Sequence, residues 1–420
     1  MFVGRGMELS RVSEILSKKE PAKFLHICGP GGIGKSNLLR EIARMCNDFG
    51  YICPRIIDLS RTDYRDSSRL LTEISARLGV GYFETFTALA LEYVSLQNEK
   101  RKALVRQLRE SFLREYKSAS SERRVVLILD TLDAVRNTEI EQTLLPMLAE
   151  STGNCSLLIV AGRERLDLTR WSLEIGTWVC LTLSGFTLGE TQMLAKAKFE
   201  QKGAARLTEN SVRRIHHLAD RKPLIIDLTF DAILETGNEE DILRDAGEEF
   251  ERKIVIWIRD LPELERRAIL QATVLDRRFN AEVMADLNDM EVASCLEILE
   301  GLRRFSFVRI AEPGADFSLH DEVRFLVGKY MDVPSWFKER LYSRAVAYYD
   351  NKLEPSLSSR EAQLARLERM HYQFLLDLQT GFQYWEQVFE EALELYDIDY
   401  CRALLYLDFG QTVVDLNLYN

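Results

Sequence analysis

One run of eight residues, Gly29-Pro30-Gly31-Gly32-Ile33-Gly34-Lys35-Ser36, carries the densest chemical information in the chain. It satisfies the spacing GxxxxGK[ST] at every fixed position. Glycines there let successive backbone N–H groups turn inward around phosphate oxygens. Lys35 is then placed to reach β- and γ-phosphates and Ser36 to ligate Mg²⁺. Asn37 follows in the first turn of a helix whose N-terminal end favours anions. Far along the chain, the apolar run Val125–Leu129 ends in Asp130, the acid that would hold Mg²⁺ directly or through water. Asp133, three residues on, is the candidate to orient or deprotonate an attacking water.

These residues need a scaffold, and the hydrophobic pattern supplies one. Phe24–Cys28 reads as a buried strand ahead of the glycine-rich loop, with a helix from about Ser36 to Cys46 after it. Arg55–Leu59, Val125–Leu129, Ser156–Ala161 and Trp178–Leu183 read as further strands, and 66–117 as helix broken by the GVG stretch at 79–81. This alternation predicts an α/β P-loop domain, a parallel sheet with helices on both faces. Thr187-Leu188-Gly189-Glu190 is a capping box, and only helices follow to about residue 304, with Pro223 and Pro262 each suited to a first turn.

Helices over 262–275, 280–288 and 291–304 precede two short strands, Phe307–Ile310 and Asp316–Leu319, around Pro313-Gly314. That is the order of a winged helix. Beyond 335 the pattern is helical, with stretches at 338–352, 361–378 and 382–396. The division expected is a nucleotide-binding α/β domain over 1–184, a helical domain over 185–255, a winged helix over 256–332, and a helical segment over 333–420. The last reads as the start of a helical array.

Composition narrows the class. With 46% hydrophobic and 29% charged residues over 420 positions, the chain is neither disordered, collagenous nor a coiled-coil rod. Lys+Arg total 55 against 66 Asp+Glu, a net charge of −11, which argues against nonspecific binding to nucleic acid or anionic membranes. No apolar run reaches the ~18 residues of a membrane span, and the first residues lack an apolar signal core. The expectation is a cytoplasmic protein with no membrane partner. The seven cysteines are scattered with no CxxC pair, so they read as reduced thiols, not a disulfide framework or zinc site, and the five histidines as too dispersed for a metal cluster. Trp336 and Trp385 read as packing between helices, and the charged segment Glu361–Met370 as a solvated face.

The order of motifs resembles a STAND-class NTPase, a signal-transducing P-loop ATPase close to the NB-ARC and NACHT groups. Phe2-Val3-Gly4-Arg5 opens the chain, then come the phosphate loop, Leu127–Asp130, Leu158–Arg163, Leu183–Phe186 with its capped helix, Lys222-Pro223-Leu224 and Leu319-His320-Asp321. The resemblance covers about residues 1–330. It implies that Val3, Gly4 and Arg5 touch adenine and ribose, and that Arg163 senses the γ-phosphate, with Ala161-Gly162 ahead of it where the family has Thr or Ser. It implies that Pro223 packs on adenine, with Arg221 in place of the family's glycine. It implies that His320 reaches the β-phosphate of ADP and locks a closed form, with Leu319 in place of Met.

The activity so implied is a switch that binds ATP or ADP with Mg²⁺ and hydrolyses ATP slowly. It is autoinhibited with ADP, activated by exchange plus a trigger ligand or protein, and homo-oligomeric when active. With no effector domain ahead of Phe2, the effector is expected in trans or beyond Asn420, and the chain reads equally as a fragment of a longer protein. Alternatives are an AAA+-like motor ATPase and a transcription regulator whose winged helix binds DNA. Nucleic acid is disfavoured because the candidate recognition helix, 291–304, carries Glu291, Glu297 and Glu300 and only two basic residues, both at its end.

Overall fold

A computed structural model describes residues 2–19, 22–61, 64, 67–95, 99–168, 171, 177–275, 280–310, 317–353, 359–395 and 397–405. The first half alternates helices and strands: α1 (Gly6–Leu16), β1 (Phe24–Cys28), α2 (Lys35–Asp48), β2 (Ile57–Asp58), α3 (Ser67–Leu78), α4 (Glu84–Ser95), α5 (Glu99–Glu122), β3 (Val126–Asp130), α6 (Leu145–Ser151), β4 (Leu157–Gly162) and β5 (Trp178–Thr182). The five strands form one sheet in the order β2-β3-β4-β1-β5, every pair parallel. The strand at Arg55–Leu59 is shorter than expected, two residues, with Ile52 pairing separately to Val125.

Both faces of the sheet are covered, which is why β1, β3 and β4 are buried at every position. Side chains alternate along each strand. Phe24 faces the core built by α3–α6, and Leu25 and Ile27 face the core shared with α1 and α2.

The second half is helical: α7 (Leu188–Gln201), α8 (Glu209–Leu218), α9 (Pro223–Thr236), α10 (Glu239–Arg244), α11 (Glu248–Ile256), α12 (Glu263–Leu275), α13 (Ala281–Asn288) and α14 (Val292–Leu302). A two-stranded antiparallel ribbon follows, β6 (Val308–Ile310) and β7 (Phe317–Leu319), and then α15 (Asp321–Tyr330). The Pro313-Gly314 turn lies outside the described residues. The capping box of α7 forms as read: Thr187 accepts from the Glu190 N–H and Glu190 accepts from the Thr187 N–H. One apolar core runs without a break from Phe186 to Tyr372. Inside it, Lys198 of α7 pairs with Asp231 of α9 at 2.7 Å, and Asp231 also accepts from the Ser306 hydroxyl at 2.7 Å.

The chain continues as α16 (Ser335–Lys352), α17 (Ser359–Leu376), α18 (Leu378–Glu394) and α19 (Ile398–Leu405). Glu361–Met370 is not a solvated face. Ala365, Leu367 and Met370 are buried, and Arg366 and Arg369 pair with Glu391 and Asp350 on the neighbouring helices. Its charges lie at helix–helix seams, where helical spacing alone does not distinguish them from surface charges. Trp385 packs as expected, stacked on Phe389 with its indole N–H donating to Leu404 C=O, but Trp336 is 63% exposed.

Candidate nucleotide site

The site lies at the carboxyl ends of the sheet strands, where open α/β sheets bind ligands. β4 runs between β1 and β3, with Gly162 beside Cys28 and Val160 beside Leu129. The phosphate loop, Arg163 and Asp130 therefore stand in a row along one edge. Gly34 starts α2 with φ 98°, a left-handed conformation that a side chain would strain. Lys35 folds back over the loop, its Nζ donating to Gly29 C=O at 2.6 Å and Pro30 C=O at 3.0 Å. A lysine clamped on a ring of glycine peptides is the donor set a polyphosphate needs. Ser36 is half-buried, and Asn37 is exposed and accepts from Arg40.

Asp130 is buried at the end of β3. The next residue, Thr131, takes a left-handed φ of 61° and donates its N–H to Asp130 Oδ1 at 2.8 Å. Non-glycine residues in that region cluster at functional sites. Asp133 has a use the sequence did not suggest: both its oxygens accept the Arg163 N–H at 2.9 Å. It thereby ties the turn after β3 to the exit of β4. Arg163 in turn accepts the Gly29 N–H on its carbonyl at 3.2 Å, which fixes the start of the phosphate loop.

Three other segments converge on the loop. The first is the N-terminal one. Val3 and Gly4 are half-buried, and Arg5 is buried with φ 63°. The Arg5 guanidinium donates to Ile33 C=O at 2.6 Å, pairs with Glu8 at 3.1 Å and lies over the Phe186 ring. Its backbone N–H donates to Glu190 Oε1 at 2.7 Å. Burial would raise the Glu190 carboxyl, but hydrogen bonds from Thr187 and Arg5 outweigh it and hold the group below its ordinary value. Arg5 thus props the loop from behind.

The second segment is the start of α9. Pro223 is buried there, and Leu224 donates its N–H to Gly32 C=O at 3.2 Å. A Cβ on Gly32 would lie 3.1 Å from that of Leu224. The third is the start of α15. His320 caps this helix, its Nδ1 accepting the Glu322 N–H at 3.3 Å. Asp321 pairs with the Arg163 guanidinium at 2.7 Å. Glu322 lies against the phosphate loop: a Cβ on Gly31 would come within 3.3 Å of its Cδ.

Most of the residues singled out in the sequence are thus gathered at one edge. Glu190, Leu224, Asp321 and Glu322 join them as contacts that the motifs did not assign. The Leu319-His320-Asp321 motif ends one residue short of Glu322, so proximity to a motif was the available signal.

The fold is that of a P-loop ATPase. Residues 1–160 match the AAA ATPase domain family. The fold is similar to that of a Signal Transduction ATPase with Numerous Domains (STAND) protein with a tetratricopeptide repeat sensor from Pyrococcus horikoshii. That match has TM-score 0.62 and 17% identity, over 97% of this chain and 53% of that one. The chain thus spans about half the length of that protein. A Walker-type ATPase of Pyrococcus abyssi is similar at TM-score 0.41 and 18% identity, over 78% of this chain and 96% of that one. No curated protein sequence matches the chain. The resemblance read from the motif order holds at the level of the fold. Among the described residues no helix is long and apolar enough to cross a membrane.

Proposed function

We propose that the chain is a nucleotide-operated switch of the STAND type, closed with ADP and opened by exchange for ATP together with a trigger. The observation that carries this reading is the seating of α15 on the phosphate loop, through Glu322 at Gly31 and Asp321 at Arg163. Two carboxylates at a phosphate site favour fewer phosphate charges there. A γ-phosphate adds charge next to both, and so disfavours the seated form. Arg163, released from Asp321, can then fork onto the new phosphate.

Lys35 and the loop N–H groups hold the phosphates, and Ser36 and Asp130 hold Mg²⁺, which when bound neutralises charge on the β and γ groups. Gly29 to Asn37 form the cradle. Val3, Gly4, Pro223 and His320 border the nucleotide, and Arg5 acts as a positioning residue behind Ile33. Asp133 is committed to the Arg163 N–H in this arrangement. Activation of water by it waits on a rearrangement, which fits slow, regulatory hydrolysis.

The proposed organisation is a nucleotide-binding domain over 1–184, a helical domain over 185–255, a winged helix over 256–332 and a helical segment from 333 on. The body built on the Phe186–Tyr372 core pivots at the α9 contact and is latched at α15. A trigger on the C-terminal helices supplies the remaining free energy, because nucleotide shifts the balance only by its differential affinity for the two forms. Opening leads to self-association and to an effector outside the described chain. A DNA-reading role draws no support from α14, whose following basic residues are engaged: Arg303 with Glu300 and Arg304 with Glu265.

The test is to denature the purified protein and identify the nucleotide released. About one equivalent of ADP per chain, with sedimentation shifting to a larger species under ATP and Mg²⁺, is expected. No retained nucleotide and fast, weak ATP exchange would overturn the closed-switch reading in favour of a motor-type ATPase.

A further inference from the structure

Immediately beneath the phosphate loop, the sheet brings together three side chains that are far apart in the sequence. His26 and Cys28 alternate on β1 and so share one face of it, and Cys180 on the edge strand β5 is register-paired with His26. The Cys28 and Cys180 sulfurs are 3.8 Å apart, and the Cys180 sulfur is 3.8 Å from His26 Nδ1. All three ligand atoms lie within 4.8 Å of one another. His26 is fully buried, its Nε2 has no partner among the described residues, and Nδ1 otherwise meets only the Leu166 N–H at 3.5 Å.

We infer that His26, Cys28 and Cys180 form a binding site for a thiophilic cation, Zn²⁺ by geometry. A tetrahedral zinc with Zn–S bonds of about 2.3 Å holds two sulfurs about 3.8 Å apart and a sulfur and a nitrogen about 3.6 Å apart. The Cys180 sulfur is already near that spacing from both the Cys28 sulfur and His26 Nδ1, and a shift of the Cys28 and His26 side chains toward each other completes the set.

The competing chemistry, a Cys28–Cys180 disulfide, fits poorly. Cys28 is paired with Thr182, two residues from Cys180 along β5. With strands about 4.8 Å apart and about 3.3 Å per residue, the two Cα atoms are about 8 Å apart. A disulfide cannot span more than about 7 Å without moving the backbone. A cation bridges the sulfurs without bringing them together.

Charge and protonation also suit a cation. Two thiolates and a neutral imidazole cancel the charge of Zn²⁺, as a buried site requires. Burial, aided by the Arg136 and Arg165 guanidiniums, pushes His26 down to about 4, so its ring is neutral at pH 7. Burial and the adjoining Cys28 push Cys180 up to about 11. Cys180 binds as the thiolate, so a bound Zn²⁺ displaces its proton as the S–H bond is exchanged for a Zn–S bond. Cys180 is half-buried and Thr182 exposed, with the Thr182 hydroxyl 3.3 Å from the Cys28 sulfur. Entry and a fourth ligand come from that side. Cys28 is bonded to Gly29, so a cation here ties the base of the phosphate loop to the sheet edge.

The test uses the full chain, stripped of metal and titrated with Zn²⁺ against a chromophoric chelator, and separately with Co²⁺. Expected are one Zn²⁺ per chain and a thiolate-to-cobalt charge-transfer band. Cys180→Ser should weaken Zn²⁺ binding at least tenfold. Cys53→Ser, at a half-buried cysteine outside this cluster, should not. A wild-type Co²⁺ complex without the thiolate band would overturn the proposal, whether or not the Cys180 variant folds. So would Zn²⁺ affinity unchanged by Cys180→Ser, or lost with Cys53→Ser.

Discussion

Two helix starts press on the same phosphate loop, and they do so by different physics. At α9 the contact is a buried proline, an apolar Leu224 side chain and a backbone hydrogen bond into Gly32. At α15 it is the carboxylates of Asp321 and Glu322, and the Asp321–Arg163 pair is half-open to solvent, at 57% and 51% exposure. Apolar burial with a satisfied backbone group is insensitive to salt and to added charge. An exposed ion pair contributes little stability and responds to both. The first contact suits a pivot and the second a latch, although both helices belong to one continuous core.

That contrast can be broken at its common partner, the loop. Lys35→Ala should weaken ATP and ADP by more than about 100-fold, because charge-assisted phosphate contacts are the strong ones. Equilibrium dialysis measures this, and retained tight binding would remove the phosphate-loop reading altogether. The pivot is probed by Leu224→Ala. Its expected cost is about 2 kcal/mol, the low end for a buried leucine at the edge of a core, read from denaturant midpoints at low and high salt alike. A salt-dependent loss would place Leu224 with the latch.

The latch should respond in the opposite sense. Glu322→Gln removes a like charge beside the phosphates and should tighten ATP by about tenfold, or about 1.4 kcal/mol, with a smaller gain for ADP. Isothermal titration reads both, and equal gains for the two nucleotides would mean that Glu322 does not discriminate the γ-phosphate. Asp321→Asn should change stability by no more than about 1 kcal/mol, as exposed pairs do. It should nevertheless raise the open or associated fraction in sedimentation at low salt, a difference that vanishes at about 1 M salt, where screening is short-ranged.

The smallest effect concerns acid. Glu190 is held below its ordinary value in the fold, so its contribution is present above the unfolded carboxyl value and lost as pH falls through the folded one. Glu190→Gln should therefore flatten the acid limb of a stability profile while leaving neutral pH less affected. An unchanged limb would mean that the Glu190–Arg5 contact does not hold the N-terminal segment.

Much of this was legible in the chain itself. The phosphate loop needs contiguous glycines and a lysine, so its spacing survives in sequence, and the apolar run to Asp130 does likewise. The capping box at Thr187 and the strands at Phe24–Cys28 and Trp178–Thr182 are local, set by periodicity and by side chains three residues apart. Arg5 and Asp133 lie close to the phosphate loop and the end of β4, but their hydrogen bonds go to Ile33 and to the Arg163 N–H, partners no local pattern names.

What the sequence by itself determined, then, is the chemistry written in short-range order: a phosphate cradle on an α/β sheet followed by helices. What only the tertiary structure decided is which distant groups meet there. Glu322 reaches Gly31, Asp321 reaches Arg163 across 158 positions, and Cys180 reaches Cys28 across 152. Strand order and helix packing set those meetings. Parallel pairing places β5 beside β1 whatever chain lies between them, so composition and spacing that read as scattered thiols become a cluster in the folded protein.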